Sequence, residues 1–291
     1  MKHVLSELFY SVQGEGKYTG CTSIFIRYFG CTLRCPGFSR PRTEGTKENA
    51  EVKNIIDNLQ QYEGKDIKDF PLVKTGCDSY ISTYTCFRKW CKEYTTEELI
   101  EKLKSIKPVT NVWENVHLVM TGGEPLINQL QIIELIGKLI EAEHIKKLHV
   151  TFETNGTVEL KPEVKEKMNQ LSDKVEWLFS VSPKLSISGE PREKTLFADR
   201  VANYNRDLKN SALYLKYVAR NSEDLKDVIE FTEAYNKAGV NYEDIYLMPE
   251  GGKVSDEVNF TNKEIADICM KYGYRFCLRA HLVLFGNAWA T

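Results

Sequence analysis

The residues best suited to chemistry are two cysteines in one short loop, Cys31 and Cys35. They directly follow an apolar run, residues 23–28, whose β-branched and aromatic side chains are typical of a strand. Their spacing lets both sulfurs reach one metal cluster from a single loop. Three thiolates at the end of a strand can hold an iron–sulfur cluster and leave one iron open to another ligand. A third thiolate must therefore come from elsewhere in the chain.

The third thiolate has three candidates, Cys77, Cys86 and Cys91. Closing a loop of about 42 residues rather than about 3 costs roughly 2 kcal/mol more, whereas a metal–thiolate site contributes on the order of 10 kcal/mol. Asp78 and Ser79 add hard oxygen atoms suited to Mg²⁺, which favours Cys77. Cys86 and Cys91 lie in an aromatic stretch where packing roles are favoured, and they remain alternatives.

A second motif, Thr121-Gly122-Gly123-Glu124-Pro125, follows the apolar run 116–120. Two glycines at the end of a strand allow a ligand to approach the backbone, and the Glu124 carboxylate can accept hydrogen bonds from a ligand ammonium group. Alone, this motif is compatible with an ordinary turn. In a chain that also contains the cysteine loop, it indicates a ligand site.

Composition and charge limit the kinds of partner. The chain has 291 residues, 42% of them hydrophobic, which is enough for a buried core. The 39 basic and 41 acidic side chains nearly cancel, so nucleic acid is not the expected partner. The sequence shows neither an apolar signal core nor a stretch long enough to span a bilayer, and we expect a cytoplasmic protein without membrane association. Clustered cysteines in that compartment favour metal binding over disulfides.

Strand and helix patterns alternate along the chain and predict an α/β fold. The predicted strands are residues 23–28, 116–120, 148–152, 177–181, 213–218, 245–248 and 274–278. The predicted helices are residues 95–106 and 261–272, each opened by a capping box, together with 129–143, 163–171 and 224–237. Such alternation predicts βα units in a mainly parallel sheet or partial barrel, whose reactive groups follow the carboxyl ends of the strands.

Residues 36–76 interrupt this alternation. The stretch is rich in Gly, Pro, Lys and Glu, with one short helical pattern at residues 51–59. We interpret it as an insertion between two cluster ligands. Because no linker divides the chain, we expect a single domain over residues 1–291.

Several motifs together resemble a known family. They are Phe9-Tyr10-Ser11-Val12-Gln13-Gly14-Glu15-Gly16, Phe25-Ile26-Arg27, Thr121-Gly122-Gly123-Glu124-Pro125, Glu153-Thr154-Asn155-Gly156-Thr157 and Ser182-Pro183-Lys184. With the cysteine loop, they resemble the radical S-adenosylmethionine (SAM) superfamily and, within it, the 7-carboxy-7-deazaguanine synthase family. The resemblance covers most of the chain outside the insertion.

The resemblance implies a fold and a reaction. The family has an incomplete (β/α) barrel, is usually a homodimer, and uses a 4Fe–4S cluster, SAM and Mg²⁺. It converts 6-carboxy-5,6,7,8-tetrahydropterin to 7-carboxy-7-deazaguanine with loss of ammonia, and takes electrons from a donor such as flavodoxin or ferredoxin. We therefore expect a small-molecule pterin substrate and a radical SAM lyase.

The resemblance also assigns residues. Cys31, Cys35 and Cys77 would hold the cluster, and Ser79 would contact Mg²⁺. SAM would be bound by Gly122, Gly123, Glu124, Ser182, Pro183, Lys184, Leu247, Met248, Pro249 and Glu250. The pterin would be bound by Val12, Gln13, Gly14, Glu15, Arg27, Thr121, Glu153, His281 and Thr291. Chemistry agrees for Arg27, a planar cation suited to a carboxylate, and for Gln13 and Glu15, which can pair with the amide and amino edge of a pterin.

Three departures from the family pattern are visible. Phe38 stands where the third cysteine of a compact Cys-x3-Cys-x2-Cys loop would be, and Ser79 replaces a threonine while keeping its hydroxyl. Leu282 follows His281 where a lysine would be expected. Two other functions remain as alternatives: another radical SAM enzyme, such as a glycyl-radical activating enzyme, and a non-catalytic regulator that keeps the cluster as a scaffold or redox sensor. A glycyl-radical activating enzyme would leave Gln13, Glu15 and Arg27 without a rationale.

Overall fold

The computed structural model describes residues 1–44, 47–109, 112–251, 263–286 and 288–290. The strands in these ranges are β1 (Lys2–Val12), β2 (Thr22–Tyr28), β3 (Lys92–Thr95), β4 (His117–Gly122), β5 (Leu148–Thr154), β6 (Val175–Val181), β7 (Ser211–Ala219), β8 (Ile245–Pro249) and β9 (Arg275–Phe276). They form one sheet in the order β3-β1-β2-β4-β5-β6-β7-β8-β9. No helix in the described ranges has the length and apolar character to cross a membrane.

The sheet is parallel from β2 to β9, while β1 runs antiparallel to β2 and β3. The prediction of a mainly parallel sheet is therefore confirmed. Register places Arg27 opposite Thr121, and Glu153 opposite Ser180. Because the carboxyl ends of parallel strands meet at one edge of a sheet, the cysteine loop after β2 and the glycine motif after β4 become neighbours.

Side chains on each strand alternate between two faces. On β2, Ile24 and Ile26 are completely buried in the main apolar cluster, which also contains residues of the helices. Phe25 and Arg27 point to the opposite face and line a cavity. We call this second side of the sheet the cavity face. Its polar residues are the ones that the fold offers to a ligand.

The helices in the described ranges are α1 (Ala50–Asp57), α2 (Thr96–Ile106), α3 (Gln129–Ala142), α4 (Pro162–Leu171), α5 (Ala198–Asn205), α6 (Leu225–Lys237), α7 (Lys263–Tyr272) and α8 (Ala280–Phe285). The predicted capping box of α2 is confirmed, since Thr95 and Glu98 each accept a backbone N–H from the other. The cap predicted for α7 at residues 261–262 lies outside the described residues.

Sequence patterns missed β1, β3, α5 and α8. In β1 the alternation is interrupted by Ser6 and Glu7. Their side chains bond inside the protein: the Ser6 hydroxyl lies 2.7 Å from that of Ser82, and Glu7 forms an ion pair with Arg27. Polar residues with internal partners hide a strand from a purely apolar pattern.

Residues 36–76 contain α1 and several short turns, in agreement with the helix predicted near residues 51–59. Together with the following residues they build a second apolar cluster, which we call the insertion core. Its buried members are Val52, Ile55, Ile67, Phe70, Val73, Tyr80, Ile81 and Phe87. Cys86 and Cys91 pack against this core. The insertion thus carries a compact unit of its own beside the sheet.

Candidate active site

A cavity of about 300 Å³ lies against the cavity face and the loops beyond it. Most residues that the sequence assigned to a site line it: Val12, Gln13, Gly14, Glu15, Arg27, Cys31, Cys35, Cys77, Ser79, Thr121, Gly122, Gly123, Glu153, Ser182, Lys184, Met248, Glu250 and His281. The fold therefore brings together residues from almost the whole length of the chain. Thr291 lies outside the described residues.

Three cysteines meet at one part of the cavity. Cys31, Cys35 and Cys77 all line it, whereas Cys86 and Cys91 pack against the insertion core. Burial raises the pKa of the Cys35 thiol well above its usual range, and the neighbouring Cys77 and Cys31 thiols add to this effect. Three such groups cannot all ionise together without a cationic partner. The geometry thus favours Cys77 over the two alternatives as the third thiolate.

Three thiols are a ligand set that suits an iron–sulfur cluster, because cysteine thiolates hold such clusters in proteins. A cluster spreads its cysteine ligands over several irons and so tolerates wider sulfur spacing. Lys184, on the same cavity, lowers the pKa of Cys31 and Cys35 against the effect of burial.

The cysteine loop is held by a carboxylate that sequence reasoning missed. Glu190 Oε1 accepts the backbone N–H groups of Arg34 at 2.6 Å and Cys35 at 2.7 Å. Cys35 has a φ of 49°, in the left-handed region that a non-glycine residue adopts only when its surroundings fix it. Glu190 therefore fixes the backbone from which the Cys35 sulfur projects. Nothing in the sequence near Glu190 points to a partner 155 residues away.

The glycine motif packs directly on the cysteine loop. A Cβ atom at Gly123 would lie 2.4 Å from the Gly30 carbonyl oxygen and 2.6 Å from Cys31 Cβ. Gly122 has a φ of 142°, and a Cβ there would lie 2.1 Å from the carbonyl oxygen of Tyr28. Only glycine fits at these two positions, because any side chain would push the two loops apart.

The Glu124 carboxylate makes its hydrogen bonds inside the protein. Its side chain is completely buried and is not part of the cavity lining. One oxygen accepts from Leu126 N and Thr154 Oγ1 at 3.0 and 2.8 Å, and the other accepts from Asn155 N at 2.7 Å. Both oxygens are therefore used inside the protein. The side chain of Glu124 thus joins the loops after β4 and β5, and a contact of this residue with SAM stays a prediction.

Asn155, in the loop after β5, reaches the cysteine loop. Its Nδ2 donates to Thr32 Oγ1 at 3.2 Å and lies 3.8 Å from Cys31 Sγ. Its Oδ1 accepts from the backbone N–H and the hydroxyl of Thr157. The motif at residues 153–157 thus contributes a support for the cysteine loop as well as a cavity residue.

Arg27 is held in place from both sides. Its Nε lies 2.6 Å from Glu7 Oε2, and its Nη1 donates to Ser79 Oγ at 3.1 Å. The other oxygen of Glu7 accepts the backbone N–H of Ala290 at 3.0 Å. Sequence reasoning missed Glu7 because it missed β1. These contacts orient the guanidinium on the cavity wall beside Ser79, where it can bind an anion.

The loop after β1 places polar groups at another wall of the cavity. Gln13 Nε2 donates to Glu153 Oε1 at 3.0 Å, and Glu15 forms an ion pair with Lys216. Burial would raise the pKa of Glu15, but Lys216, and then His281 and Arg279, lower it to about 2. Glu15 is thus a carboxylate at neutral pH. His281 packs on Gly14, where a Cβ would lie 1.9 Å from its Nδ1.

The predicted SAM residues after β6 and β8 divide between the cavity and the protein interior. Ser182, Lys184 and Met248 line the cavity. Pro183, Leu247 and Pro249 are buried and do not line it. Glu250 lines the cavity, but it is paired with Arg220 at 2.8 Å and also accepts the Ser39 N–H, so it fastens the start of the insertion to β8.

The fold and the site together define a class of protein: a mixed α/β protein whose parallel strands end at a cavity with three thiols and several fixed charges. A similar fold occurs in the crystal structure of QueE from Escherichia coli, with a TM-score of 0.54 and 21% sequence identity over 95% of this chain and 93% of that one. No protein-family model matches the chain.

Sequence similarity to curated proteins is more informative about function than the similarity of fold. The chain is 27% identical over 301 residues to the 7-carboxy-7-deazaguanine synthase of Halobacterium salinarum, covering 98% of this chain and 91% of that protein. It is 29% identical over 297 residues to the enzyme of the same name from Rhodopirellula baltica, covering 99% and 88%. A third, from Pyrobaculum aerophilum, is 26% identical over 282 residues, covering 97% and 94%. The resemblance to these synthases is confirmed along almost the whole chain.

Proposed function

We propose that this protein is a 7-carboxy-7-deazaguanine synthase, a radical SAM lyase that converts 6-carboxy-5,6,7,8-tetrahydropterin to 7-carboxy-7-deazaguanine with loss of ammonia. One observation carries the proposal: a single cavity collects residues from every motif of the resemblance. The similarity to curated synthases over nearly the whole chain supports it. Neither a glycyl-radical activating enzyme nor a regulator accounts for the fixed charges beside the thiols.

The cysteine end of the cavity would hold the cofactors. In our proposal Cys31, Cys35 and Cys77 bind a 4Fe–4S cluster, and SAM lies beside it along Gly123 and Lys184. When bound, the reduced cluster and SAM together supply a radical that removes a hydrogen atom from the substrate. The protein supplies position: Glu190 and the glycine motif fix the cysteine loop, and Cys77 lies in the chain between Val73 and Tyr80 of the insertion core.

The Arg27 wall would hold the substrate carboxylate. Glu7 and Ser79 contact Nε and Nη1 of Arg27, and in our proposal Nη2 donates to the substrate carboxylate. Ser79 is also where Mg²⁺ would bind, with substrate oxygens completing its coordination. Val12, Thr121 and the other lining residues assigned to the pterin would enclose its rings and exclude water.

Loop contacts support an incomplete barrel. The carbonyl oxygen of Gly14, after β1, accepts the N–H of Ala280, after β9, at 2.9 Å. In a flat sheet, β1 and β9 would lie seven strand spacings apart, roughly 34 Å. The two ends approach each other only if the sheet curves strongly. The proposal thus includes a single (β/α) domain that is barrel-shaped, with residues 36–76 as an insertion.

The proposal also includes partners that the family resemblance implies. We expect a homodimer and an electron donor of the flavodoxin or ferredoxin type. Both follow from the resemblance alone. Size-exclusion chromatography with light scattering tests the first, and turnover with reduced flavodoxin or ferredoxin in place of dithionite tests the second.

An anaerobic assay tests the function itself. The protein is loaded with iron and sulfide, given dithionite, SAM, Mg²⁺ and 6-carboxy-5,6,7,8-tetrahydropterin, and the products are identified by mass spectrometry. Appearance of 7-carboxy-7-deazaguanine supports the proposal. Formation of 5′-deoxyadenosine without it indicates another radical SAM reaction. An intact cluster with neither product indicates a regulator.

A further inference from the structure

Two polar residues on the cavity face have no role in the function proposed above. Lys216 on β7 and Ser180 on β6 line the cavity, and they are only 6% and 1% exposed. Lysine is almost never this buried unless it is paired. Because bulk water does not reach these side chains, their hydrogen-bond partners must come from the protein or from a ligand.

Lys216 has only part of its hydrogen-bonding capacity used. Its ammonium group pairs with Glu15, and among the described residues it meets no other acceptor within hydrogen-bonding distance. Burial would lower the pKa of Lys216, but Glu15 and then Glu153 raise it above its usual range, so the group stays protonated. An ammonium has three N–H donors, and two of them remain for a ligand in the cavity.

Ser180 and Glu153 also have hydrogen-bonding capacity that remains for a ligand. The Ser180 hydroxyl is buried opposite Tyr214 on β7, and because a hydroxyl can both donate and accept, a contact with Tyr214 leaves it capacity for a ligand. Glu153 stands opposite Ser180 on β5 and uses one carboxylate oxygen to accept from Gln13. Glu153 and Ser180 are thus in register on the cavity face, and Lys216 lies two residues beyond Tyr214 on the next strand, β7.

We propose that Glu153, Ser180 and Lys216 together bind the amino–oxo edge of the pterin ring, with the Lys216 ammonium donating to the ring carbonyl oxygen. This inference rests on the proposed function. The pterin edge presents amino and ring N–H donors next to a carbonyl acceptor, which is the complement of a carboxylate followed by an ammonium. Ser180, next to Glu153 on the neighbouring strand, can donate or accept.

The distance to Arg27 agrees with this orientation. Arg27 on β2 and Glu153 on β5 are separated by two strand spacings, about 10 Å. A bicyclic ring can lie between them, with its carboxylate at Arg27 and its amino–oxo edge at Glu153, Ser180 and Lys216. Lys216 then determines specificity, because it selects a carbonyl over a group that is itself a donor.

The test compares two ligands on cluster-loaded protein without reductant, so that no turnover occurs. One is 6-carboxy-5,6,7,8-tetrahydropterin, and the other is its 2,4-diamino analogue, in which an amino group replaces the ring carbonyl. We expect the unaltered protein to prefer the carbonyl ligand by about 10- to 100-fold in dissociation constant, the effect of a hydrogen bond to a charged group. The analogue also lacks the N3 hydrogen, so in Lys216→Met the preference should fall by about tenfold or more, and the part that remains reports the contact of Glu153 with that N–H.

Matched variants separate this role from a structural one. Lys216→Met leaves the Glu15 carboxylate buried and unpaired, so the double variant Glu15→Gln/Lys216→Met is measured beside it. Lys17→Met is the control, because Lys17 is an exposed lysine whose ion pair with Glu243 lies away from the cavity lining. Equal loss of affinity for both ligands, or an unchanged preference in both Lys216 variants, would overturn the inference.

The product assay distinguishes a wrong proposed function from a wrong inference about Lys216. If the unaltered protein forms no 7-carboxy-7-deazaguanine, the proposed function is wrong and the inference falls with it. If it forms the product and the Lys216 variants keep the ligand preference of the unaltered protein, only the inference is wrong.

Discussion

The two segments that carry the three proposed cluster ligands have different surroundings. The cysteine loop is fixed by polar contacts, in which one oxygen of Glu190 accepts two backbone N–H groups. Cys77 lies in the chain between Val73 and Tyr80 of the insertion core, where the rings of Phe70, Tyr80 and Phe87 pack edge to face. In our proposal a ligand can therefore lie about 42 residues from its partners when a separate apolar core orders its segment.

Removal of a thiolate should have the largest effect. We expect Cys77→Ala to lose 5′-deoxyadenosine formation by at least about 10³-fold, because a reactive cluster needs all three protein thiolates. Iron content and product formation are measured after anaerobic loading. Cys86→Ala is the matched control and should keep both, since Cys86 only packs against the insertion core. A Cys77→Ala protein with a full cluster and normal turnover would contradict the ligand assignment.

Removal of a ring from the insertion core should be the next largest effect. Phe87 is completely buried, and Phe87→Ala should cost about 3–5 kcal/mol of local stability. Because the insertion core is separate from the main cluster, amide exchange should accelerate in α1 and residues 77–91 while β5 stays protected. Phe152→Ala, in the main cluster, is the comparison and should weaken the sheet as a whole. Uniform loss of protection in Phe87→Ala would show that the insertion does not fold as a unit.

The buried Glu124 carboxyl should make stability depend on pH. Burial raises its pKa from 4.5 to about 7, against the opposing effect of its three hydrogen-bond donors. The contribution of Glu124 to the free energy of unfolding is therefore fully present below about pH 4.5, where its carboxyl is protonated. This contribution is lost as the pH rises to about 7 and the buried group ionises. The shift corresponds to about 3 kcal/mol. The measurement is the free energy of unfolding of the unaltered protein and of Glu124→Gln across this pH range. As the pH rises, the unaltered protein should lose stability relative to Glu124→Gln. A constant difference would contradict the titration of Glu124.

The two segments also differ in what their sequences reveal. Strand alternation and the glycine motif predicted the positions of Arg27, Thr121 and Gly123, because their geometry is set by neighbours in sequence. Glu124 was expected at the ligand, and its donors, which come from the loop after β5, are visible only in the fold. Lys216 did leave a signal: it is a lysine within the apolar run 213–218, at a position that the two-residue period places on the cavity face.

The sequence contains no comparable signal for Glu190. Two variants, Glu190→Ala and Glu190→Gln, test whether this carboxylate holds the cysteine loop. Glu190→Ala removes the acceptor of two backbone N–H groups, each worth about 1.5–3 kcal/mol when bound to a charged group. We expect the cysteine loop to loosen and iron retention to fall several-fold, while the unfolding temperature changes little because the loop lies outside the main cluster. Glu190→Gln keeps one carbonyl oxygen and should retain more iron than the alanine variant.

Glu193→Ala is the control for this pair, since Glu193 is an exposed carboxylate three residues further along the same segment. Iron per chain, measured after anaerobic loading and desalting, ranks the variants. The expected order is unaltered protein and Glu193→Ala first, then Glu190→Gln, then Glu190→Ala. If Glu190→Ala retains as much iron as the control, the conformation of the cysteine loop is set by the packing of Gly123 alone, and both cysteine segments would then depend on packing rather than on two different forces.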